Sequence, residues 1–275
     1  MRIAYHYSAP YPEYRQVIPL LESASIPYEL DELRDPPKWF VFDITNDSRI
    51  WERVKKELDV SYPGAKAPSC ISQMLFDESE LSGSPWLTVR SKFDRADPVC
   101  LEMTIEQKCC YITQKGDYRF SGHIKWGKNH FMSPFGGTLF TDDFGMNILT
   151  KEKMLGIEYR PAKKKSTDEI LPNIHQIVAK NILPNNTMII KPGDCQTAWS
   201  CIHCRRERYI LDQLYIVKLR KDELERERSD IFMTEELFGI FNGAPVWIVS
   251  QRFYQVLKAH QMTRSLVFEP VELVD

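Results

Sequence analysis

The 275-residue sequence lacks the long apolar runs that mark membrane proteins. No segment approaches the roughly 18 consecutive apolar residues that a membrane helix needs, and the mean hydropathy is -0.37. The first ten residues contain no apolar run long enough for a signal peptide. With 43% apolar and 27% charged residues, the composition is also unlike that of a disordered or low-complexity chain. We therefore expect a globular cytoplasmic protein with no membrane partner.

The sequence also lacks an excess of charge of one sign. Lys and Arg number 36 against 38 for Asp and Glu, so the formal net charge is -2. General nucleic-acid binding relies on a strong basic field. Nucleic acid is therefore not the expected partner of this chain.

Cysteine is too sparse for a disulfide scaffold, because there are seven residues, an odd number, without dense spacing. We expect reduced thiols. Cys201 and Cys204 nevertheless have the two-residue spacing that presents two thiolates to one metal ion. A structural zinc needs four ligands, and the nearest further candidates are Cys195, His203, Cys109 and Cys110. Cys201 and Cys204 are thus the candidate zinc ligands, against the simpler expectation of free thiols and no cofactor.

Motifs for catalysis are weak. Asp143-Phe-Gly145 matches the magnesium-binding tripeptide of protein kinases, but the HRD-type loop and the glycine-rich loop of that family are absent. We interpret it as a turn after a strand at Thr138–Phe140. His123 and His130 are not tied by any motif to a nucleophile or carboxylate. We predict no catalytic residue and a protein that is not an enzyme.

The N-terminal part has the pattern of a small β/α module, which we assign to residues 1–85. Residues 3–7 and 39–45 are strand-like, and Asp47 can cap a helix that follows. A turn-rich connector at 62–69 precedes the change of pattern.

From about residue 86 apolar and polar residues alternate, as in strands with one buried face. The alternation covers residues 99–105 and 118–126, and it places Trp126 on the buried face. Farther on, Ser166 to Glu169 has the spacing of a capping box, and Ile170, Ile174 and Ile177 follow at helical spacing. We therefore predict an antiparallel sheet followed by a helix within a second domain, residues 86–275.

The C-terminal segment predicts a βαβ unit. Residues 245–249 form a short apolar run that includes Trp247, Ser250 is a suitable N-cap, and 251–260 has helical spacing, with a second strand at 265–274. The expected fold class is α+β, with a mixed, largely antiparallel sheet, this C-terminal βαβ unit and the small N-terminal β/α module.

An internal repeat of the C-terminal unit is a further hypothesis. Residues 140–145, 148–150 and 156–161 resemble residues 232–239, 248–250 and 266–270. This alignment matches Thr150 to Ser250 and requires a shorter helix in the upstream copy. Short β/α units also converge, so chance similarity is the alternative.

Three C-terminal segments carry a family resemblance: Ser229-Asp-Ile-Phe232, Trp247-Ile-Val-Ser-Gln-Arg-Phe253 and Leu266-Val-Phe-Glu-Pro-Val271. With the CxxC at 201–204 upstream, they resemble the C-terminal part of the double-CXXCG motif family. They are also similar to related immunity-protein domains of bacterial polymorphic-toxin systems. The first CxxC of the family is missing, and Arg205 replaces the glycine after the second.

The resemblance implies a non-enzymatic cytoplasmic immunity protein that binds and occludes a cognate bacterial toxin. Because Trp126 and Trp247 lie on faces predicted to be buried, Trp199, in a predicted loop, is the candidate partner-binding anchor. The alternative is a zinc-stabilised nucleic-acid-binding module that uses Arg205, Arg206 and Arg208. The oligomeric state stays open.

Overall fold

A computed structural model of the chain describes residues 2–10, 18–23, 25–30, 39–45, 53, 56, 69–92, 103–105, 112–114, 116–122, 124–133, 137–191, 195–200, 207–211, 215–239 and 244–275. The chain divides into two compact units, residues 1–77 and 78–275. Both contain helices and strands, and the strand pairs are mostly antiparallel. The predicted α+β class is therefore confirmed. The predicted boundary after residue 85 lies beyond the short helix Glu78–Gly83, which belongs to the second unit.

The first unit contains an antiparallel sheet of four strands. Its elements are β1 (Arg2–Pro10), α1 (Ile18–Ser23), β2 (Tyr28–Leu30), β3 (Trp39–Thr45) and β4 (Ser69–Leu75), and the sheet order is β2-β3-β1-β4. The strands predicted at 3–7 and 39–45 are confirmed in β1 and β3, whereas β4 was not predicted. Of the helix expected after Asp47, the described residues Arg53 and Lys56 are helical.

The second unit contains two five-stranded sheets and three smaller ones. Its elements are α2 (Glu78–Gly83), β5 (Trp86–Ser91), β6 (Met103–Ile105), β7 (Ile112–Gln114), β8 (Arg119–Phe120), β9 (Phe131–Met132), β10 (Leu139–Thr141), α3 (Asp143–Lys151), β11 (Ile157–Lys164), β12 (Ile170–Ala179), β13 (Asn181–Leu183), β14 (Cys195–Ser200), β15 (Glu207–Leu211), β16 (Lys218–Arg220), α4 (Lys221–Arg226), β17 (Ile231–Thr234), β18 (Leu237–Phe238), β19 (Trp247–Ser250), α5 (Gln251–Ala259), β20 (Leu266–Pro270) and β21 (Glu272–Val274). The large sheets have the orders β8-β11-β12-β10-β9 and β13-β17-β19-β5-β20. The smaller sheets are β14-β15-β18, β16-β21 and β6-β7.

Each large sheet contains a split βαβ unit. In the first sheet α3 connects β10 to β11, and β12 lies between these strands, antiparallel to both. In the second sheet α5 connects β19 to β20, and β5 lies between these two strands, antiparallel to both. The C-terminal strand-helix-strand order is thus confirmed, but its two strands are not neighbours. Because the inserted strand comes from the start of the unit, the tail cannot complete its sheet alone.

The helices of the two split βαβ units and their caps correspond residue by residue, which supports the repeat but corrects its alignment. Asp142 and Ser250 are the N-caps, accepting hydrogen bonds from Gly145 N at 2.8 Å and Phe253 N at 3.1 Å. Both helices then have nine residues. Ser250 therefore corresponds to Asp142 and not to Thr150, which lies inside α3. We call residues 129–164 the first copy and residues 229–270 the second copy.

The helix ends repeat as closely as the caps. Lys153 and Gln261 both adopt left-handed backbone conformations, with φ of 51° and 57°. The next residues, Met154 and Met262, donate their amide N–H groups back to the carbonyls of Leu149 and Leu257, and both methionines are buried. Both helices therefore end in a Schellman motif, the common helix C-terminal cap that has a left-handed residue and an apolar contact.

A core shared by both copies lies between the two sheets and helices. It contains Leu139, Leu149 and Ile177 from the first sheet and its helix, and Trp247, Val249, Phe253 and Leu257 from the second. The opposite faces of the two sheets are covered separately, by clusters around Phe120 and Phe140 and around Phe232 and Ile248. Trp126 and Trp247 are both buried, as predicted.

The helix predicted from Ile170 onward is instead strand β12. Ile174 packs into the cluster around Phe140, whereas Ile177 packs into the shared core, so the two side chains point to opposite faces. A strand buried on both faces mimics the three-residue apolar spacing of a helix. Asn173, with φ of 63°, further interrupts the alternation. The residues of the supposed capping box form the turn between β11 and β12.

Two smaller predictions also change. Asp143-Phe-Gly145 is the first turn of α3 and not a loop turn. A Cβ atom at position 145 would lie 2.0 Å from Thr141 Oγ1, so close packing explains the glycine of this tripeptide. In the alternating segment 118–126, Tyr118, Phe120 and Trp126 are buried as predicted, but the only strand there among the described residues is β8.

Candidate partner-binding cleft

Of the residues singled out from the sequence, His130 lines the site that the structure suggests, and so does Phe144 of the Asp143-Phe-Gly145 tripeptide. Cys201 and Cys204 lie outside the described residues, so zinc binding there stays a prediction. Trp199 lies in β14, not in the predicted loop, and its backbone is paired with Arg208 of β15. Within the described part of the chain, no group of three or more His, Cys, Asp or Glu residues is placed to hold a metal ion.

An open cleft of about 610 Å³ lies where the start of α3 faces the end of α5. Its described lining residues are Lys128, His130, Phe144, Ala259, His260, Gln261 and Arg264. Phe144 is in the first turn of α3, yet 46% of it is exposed. An exposed phenylalanine beside a lysine and an arginine is typical of binding surfaces more than of packed cores.

His130 is held in place at one edge of the cleft. Its Nδ1 lies 2.9 Å from Asp142 Oδ2, and its ring lies 4.8 Å from the ring of Phe144. The other oxygen of Asp142 caps α3. The carboxylate thus has a structural role at the helix start, and it orients the imidazole through the same side chain.

Two further histidines bind carboxylates at the ends of α3. His175 Nε2 lies 2.6 Å from Asp143 Oδ1 at the first turn, while His260 Nε2 lies 3.9 Å from Glu152 Oε1 at the C-cap. Asn173 also accepts the amide N–H of Asp143 at 2.8 Å through its side chain. These contacts attach α3 to β12 and α5, so they fix the helix that carries Phe144.

Lys128 and Arg264 supply the unpaired positive charge of the cleft. Both side chains are exposed, and neither forms an ion pair with another described residue. No carboxylate stands among the described lining residues, although Asp142 and Glu152 contact the lining residues His130 and His260. The cleft is therefore electropositive although the chain as a whole is slightly acidic.

In the second copy the site equivalent to the cleft is filled by side chains of the chain itself. Asp230, which precedes β17, corresponds to His130, which precedes β9: the carbonyl of each accepts the N–H of the N-cap of its own copy. Asp230 accepts hydrogen bonds from Ser250 Oγ at 2.7 Å and Leu155 N at 2.9 Å, and it pairs with Arg252 Nη1 at 2.9 Å. Arg252 also donates to the carbonyl oxygen of Glu152 at the end of α3.

In each copy the start of the helix lies against the end of the helix of the other copy. Glu152 and His260, the equivalent C-caps, lie side by side, with Glu152 Oε1 3.9 Å from His260 Nε2. Arg252 covers the end of α3, and its equivalent, Phe144, lines the cleft with the end of α5. Such a reciprocal contact is what an approximate two-fold relation between the copies produces. One of the two equivalent places is thus filled by Arg252, and the other is the open cleft.

The sequence analysis missed Lys128, Phe144 and Arg264 as site residues. Lys128 and Arg264 belong to no motif, and Phe144 belongs to a tripeptide that we interpreted as a turn, so only the packing of the two copies brings the three residues together. One local signal existed: Phe144 occupies the first turn of a short helix beside two aspartates, where an apolar residue need not face the core.

No protein-family model matches the chain, and it has no match among curated proteins or solved structures. The resemblance to immunity domains therefore stays a prediction. No helix in the described ranges is both long and apolar enough to cross a membrane.

Proposed function

We propose that this chain is a non-enzymatic binding protein that occludes a partner polypeptide, and that the partner is a bacterial toxin against which it gives immunity in the cytoplasm. The observation that carries the proposal is the open, electropositive cleft beside the exposed Phe144, at a place that the second copy closes with its own arginine. The family resemblance supplies the identity of the partner.

The residues of the resemblance have structural roles, which favours binding over catalysis. Asp230 joins the N-cap Ser250, Arg252 and the Leu155 amide, and Phe253 lies in the shared core. The His130–Asp142 pair could suggest a general base, but its carboxylate caps α3. Among the described lining residues there is no Ser, Thr or Cys that the imidazole could activate.

Occlusion requires contact area more than reactive groups. A stable protein complex buries roughly 800 Å² on each partner, and its affinity depends on a few aromatic or arginine anchors. Phe144 replaces Trp199 as our candidate anchor, because its exposed ring stands at the rim of a cleft. The positive charge around it would orient an approaching acidic surface.

The test is co-expression of the full-length tagged chain with the product of each adjacent gene. We expect one product to be toxic alone, to be neutralised by the chain, and to co-elute with it in gel filtration. Phe144→Ala should weaken the complex at least tenfold. Leu155→Ala is the matched control, because Leu155 is equally exposed, at 46%, but does not line the cleft. If no adjacent product is neutralised or captured, the proposal is wrong.

A further inference from the structure

The equivalence of the two copies shows what kind of group the open cleft lacks. In the second copy a charged side chain, Arg252, lies between a carboxylate and the carbonyl end of the neighbouring helix. In the first copy Phe144 takes the position of Arg252, and its apolar ring offers no charged partner to Lys128 and Arg264 of the cleft. The fold thus contains one site closed by an internal ion pair and one equivalent site whose two exposed cations, Lys128 and Arg264, have no carboxylate partner among the described residues.

The sign of the charge is reversed between the two places. Asp230, whose side chain is only 8% exposed, attracts the guanidinium of Arg252. Its equivalent is His130, which is flanked in the cleft by Lys128, His260 and Arg264. Since no carboxylate lines the cleft among the described residues, a cation would be repelled and an anion attracted.

From this comparison we propose that the cleft binds a carboxylate side chain of the partner polypeptide, paired with Lys128 and Arg264, with its methylene groups against Phe144. This inference rests on the proposed function and specifies the partner: it presents an acidic segment, not a basic one. The partner's carboxylate would pair with the charged groups of the first copy, as Arg252 pairs with Asp230 in the second copy, but it would come from another chain.

A polypeptide fits the cleft better than a nucleic acid does. Protein–nucleic acid affinity relies on several phosphate contacts along a strand, whereas among the described lining residues only Lys128 and Arg264 are exposed cations without a carboxylate partner. The net charge of -2 would also repel a long polyanion. A volume of about 610 Å³ accommodates one or two side chains of a docked segment.

The experiment uses isothermal titration calorimetry with the full chain and two capped peptides. One alternates Glu with Leu over eight residues, and the other has Gln in place of every Glu. We expect saturable binding of the Glu peptide and at least tenfold weaker binding of the Gln peptide. Inorganic phosphate and a twelve-nucleotide single-stranded DNA are the competing anions. Stronger binding of either than of the Glu peptide would overturn the proposal.

Three double variants locate the binding. Lys128→Gln with Arg264→Gln should weaken the Glu peptide at least tenfold. Lys180→Gln with Arg228→Gln is the matched control, because it removes one exposed Lys and one exposed Arg that do not line the cleft. His130→Asp with Phe144→Arg, which introduces the ion pair of the second copy, should also abolish binding. Equal affinity in the cleft variant and the control would contradict the assignment.

The outcome is separable from that of the proposed function. If a co-expressed toxin is captured equally well by the native chain and by the Lys128→Gln, Arg264→Gln variant, the binding function stands and the carboxylate inference fails. If the Glu peptide binds in the cleft but no adjacent gene product is captured, the immunity proposal fails alone.

Discussion

The two copies of the split βαβ unit differ most where they are otherwise most alike. Both have a capped nine-residue helix, a left-handed residue after it and a buried methionine. At the start of the helix, however, the second copy has Asp230 and Arg252, and the first has His130 and Phe144. Asp230 and Arg252 close the site of the second copy with an ion pair, whereas in the first copy the ring of Phe144 is exposed. Equal backbones thus produce a structural joint in one copy and an accessible surface in the other.

The largest expected effect concerns what the copies share. Leu149→Ala in α3 and Leu257→Ala in α5 remove equivalent side chains, each almost fully buried in the same core. Each should lower the free energy of unfolding by about 2–5 kcal/mol, as measured by urea denaturation. Leu155→Ala, at an exposed leucine, should change it by less than about 0.5 kcal/mol. A much smaller cost at position 149 than at 257 would break the equivalence of the copies.

The next effect separates the joint from the cap. Asp230→Ala removes a buried carboxylate that holds Ser250, Arg252 and the Leu155 amide, so it should cost about 2–4 kcal/mol. Asp142→Ala removes an N-cap and the partner of His130, and it should cost about 1 kcal/mol. The measurement is again the midpoint of urea denaturation. Equal losses in the two variants would mean that the second copy is not specially closed.

A third prediction uses an attachment that the structure shows for α5. Glu78 of α2 accepts hydrogen bonds from Lys258 and from Tyr254 Oη, and the Lys258 ammonium lowers the pKa of Glu78. A carboxyl whose pKa is lower in the folded state stabilises the fold above the pKa of the unfolded chain. This contribution is lost as the pH falls through the lower, folded pKa.

Glu78→Gln should therefore lower the stability at pH 7 by roughly 0.2–1 kcal/mol, since the pair is exposed and screened. At a pH below the folded pKa of Glu78 the variant and the native chain should be equally stable. Thermal unfolding at several pH values measures both. A difference that grows as the pH falls would contradict the assigned sign. Added salt should reduce the difference at pH 7.

The smallest effect on stability is expected at Phe144. Because nearly half of Phe144 is exposed and its ring contacts that of His130 on one side, Phe144→Ala should change the free energy of unfolding by less than about 0.5 kcal/mol. Arg252→Ala, at the equivalent position, should cost more, about 1–2 kcal/mol, because it leaves the buried Asp230 without its cation. If Phe144→Ala destabilises the chain more than Arg252→Ala does, Phe144 is a core residue and not a binding residue.

Local patterns predicted the C-terminal unit well. Ser250 before an amphipathic segment correctly indicated an N-cap and helix α5, because capping depends on neighbouring residues. Alternation correctly placed Trp126 inside, and the short apolar run at 245–249 correctly placed Trp247 inside. The same local reasoning failed at Ile174 and Ile177, where the strand is covered on both faces and its apolar spacing resembles that of a helix.

The candidate cleft could not be predicted in the same way. Lys128 and Phe144 are 16 positions apart, Arg264 follows 120 positions later, and each is ordinary in its local context. Their proximity depends on the packing of the two copies, which no single segment encodes. Trp199, which we predicted to lie in a loop, is instead part of β14, because its segment pairs with β15.

By itself the sequence determined the α+β class, the strand-helix-strand order of the tail and the cap that starts its helix, because these depend on periodicity and on hydrogen bonds between near neighbours. The tertiary structure alone decided that β5 and β12 enter between the strands of each copy, because strand pairing joins residues that are distant in the chain. It also decided which of two equivalent sites is filled, since Arg252 finds a carboxylate and a helix end only when both copies are packed together.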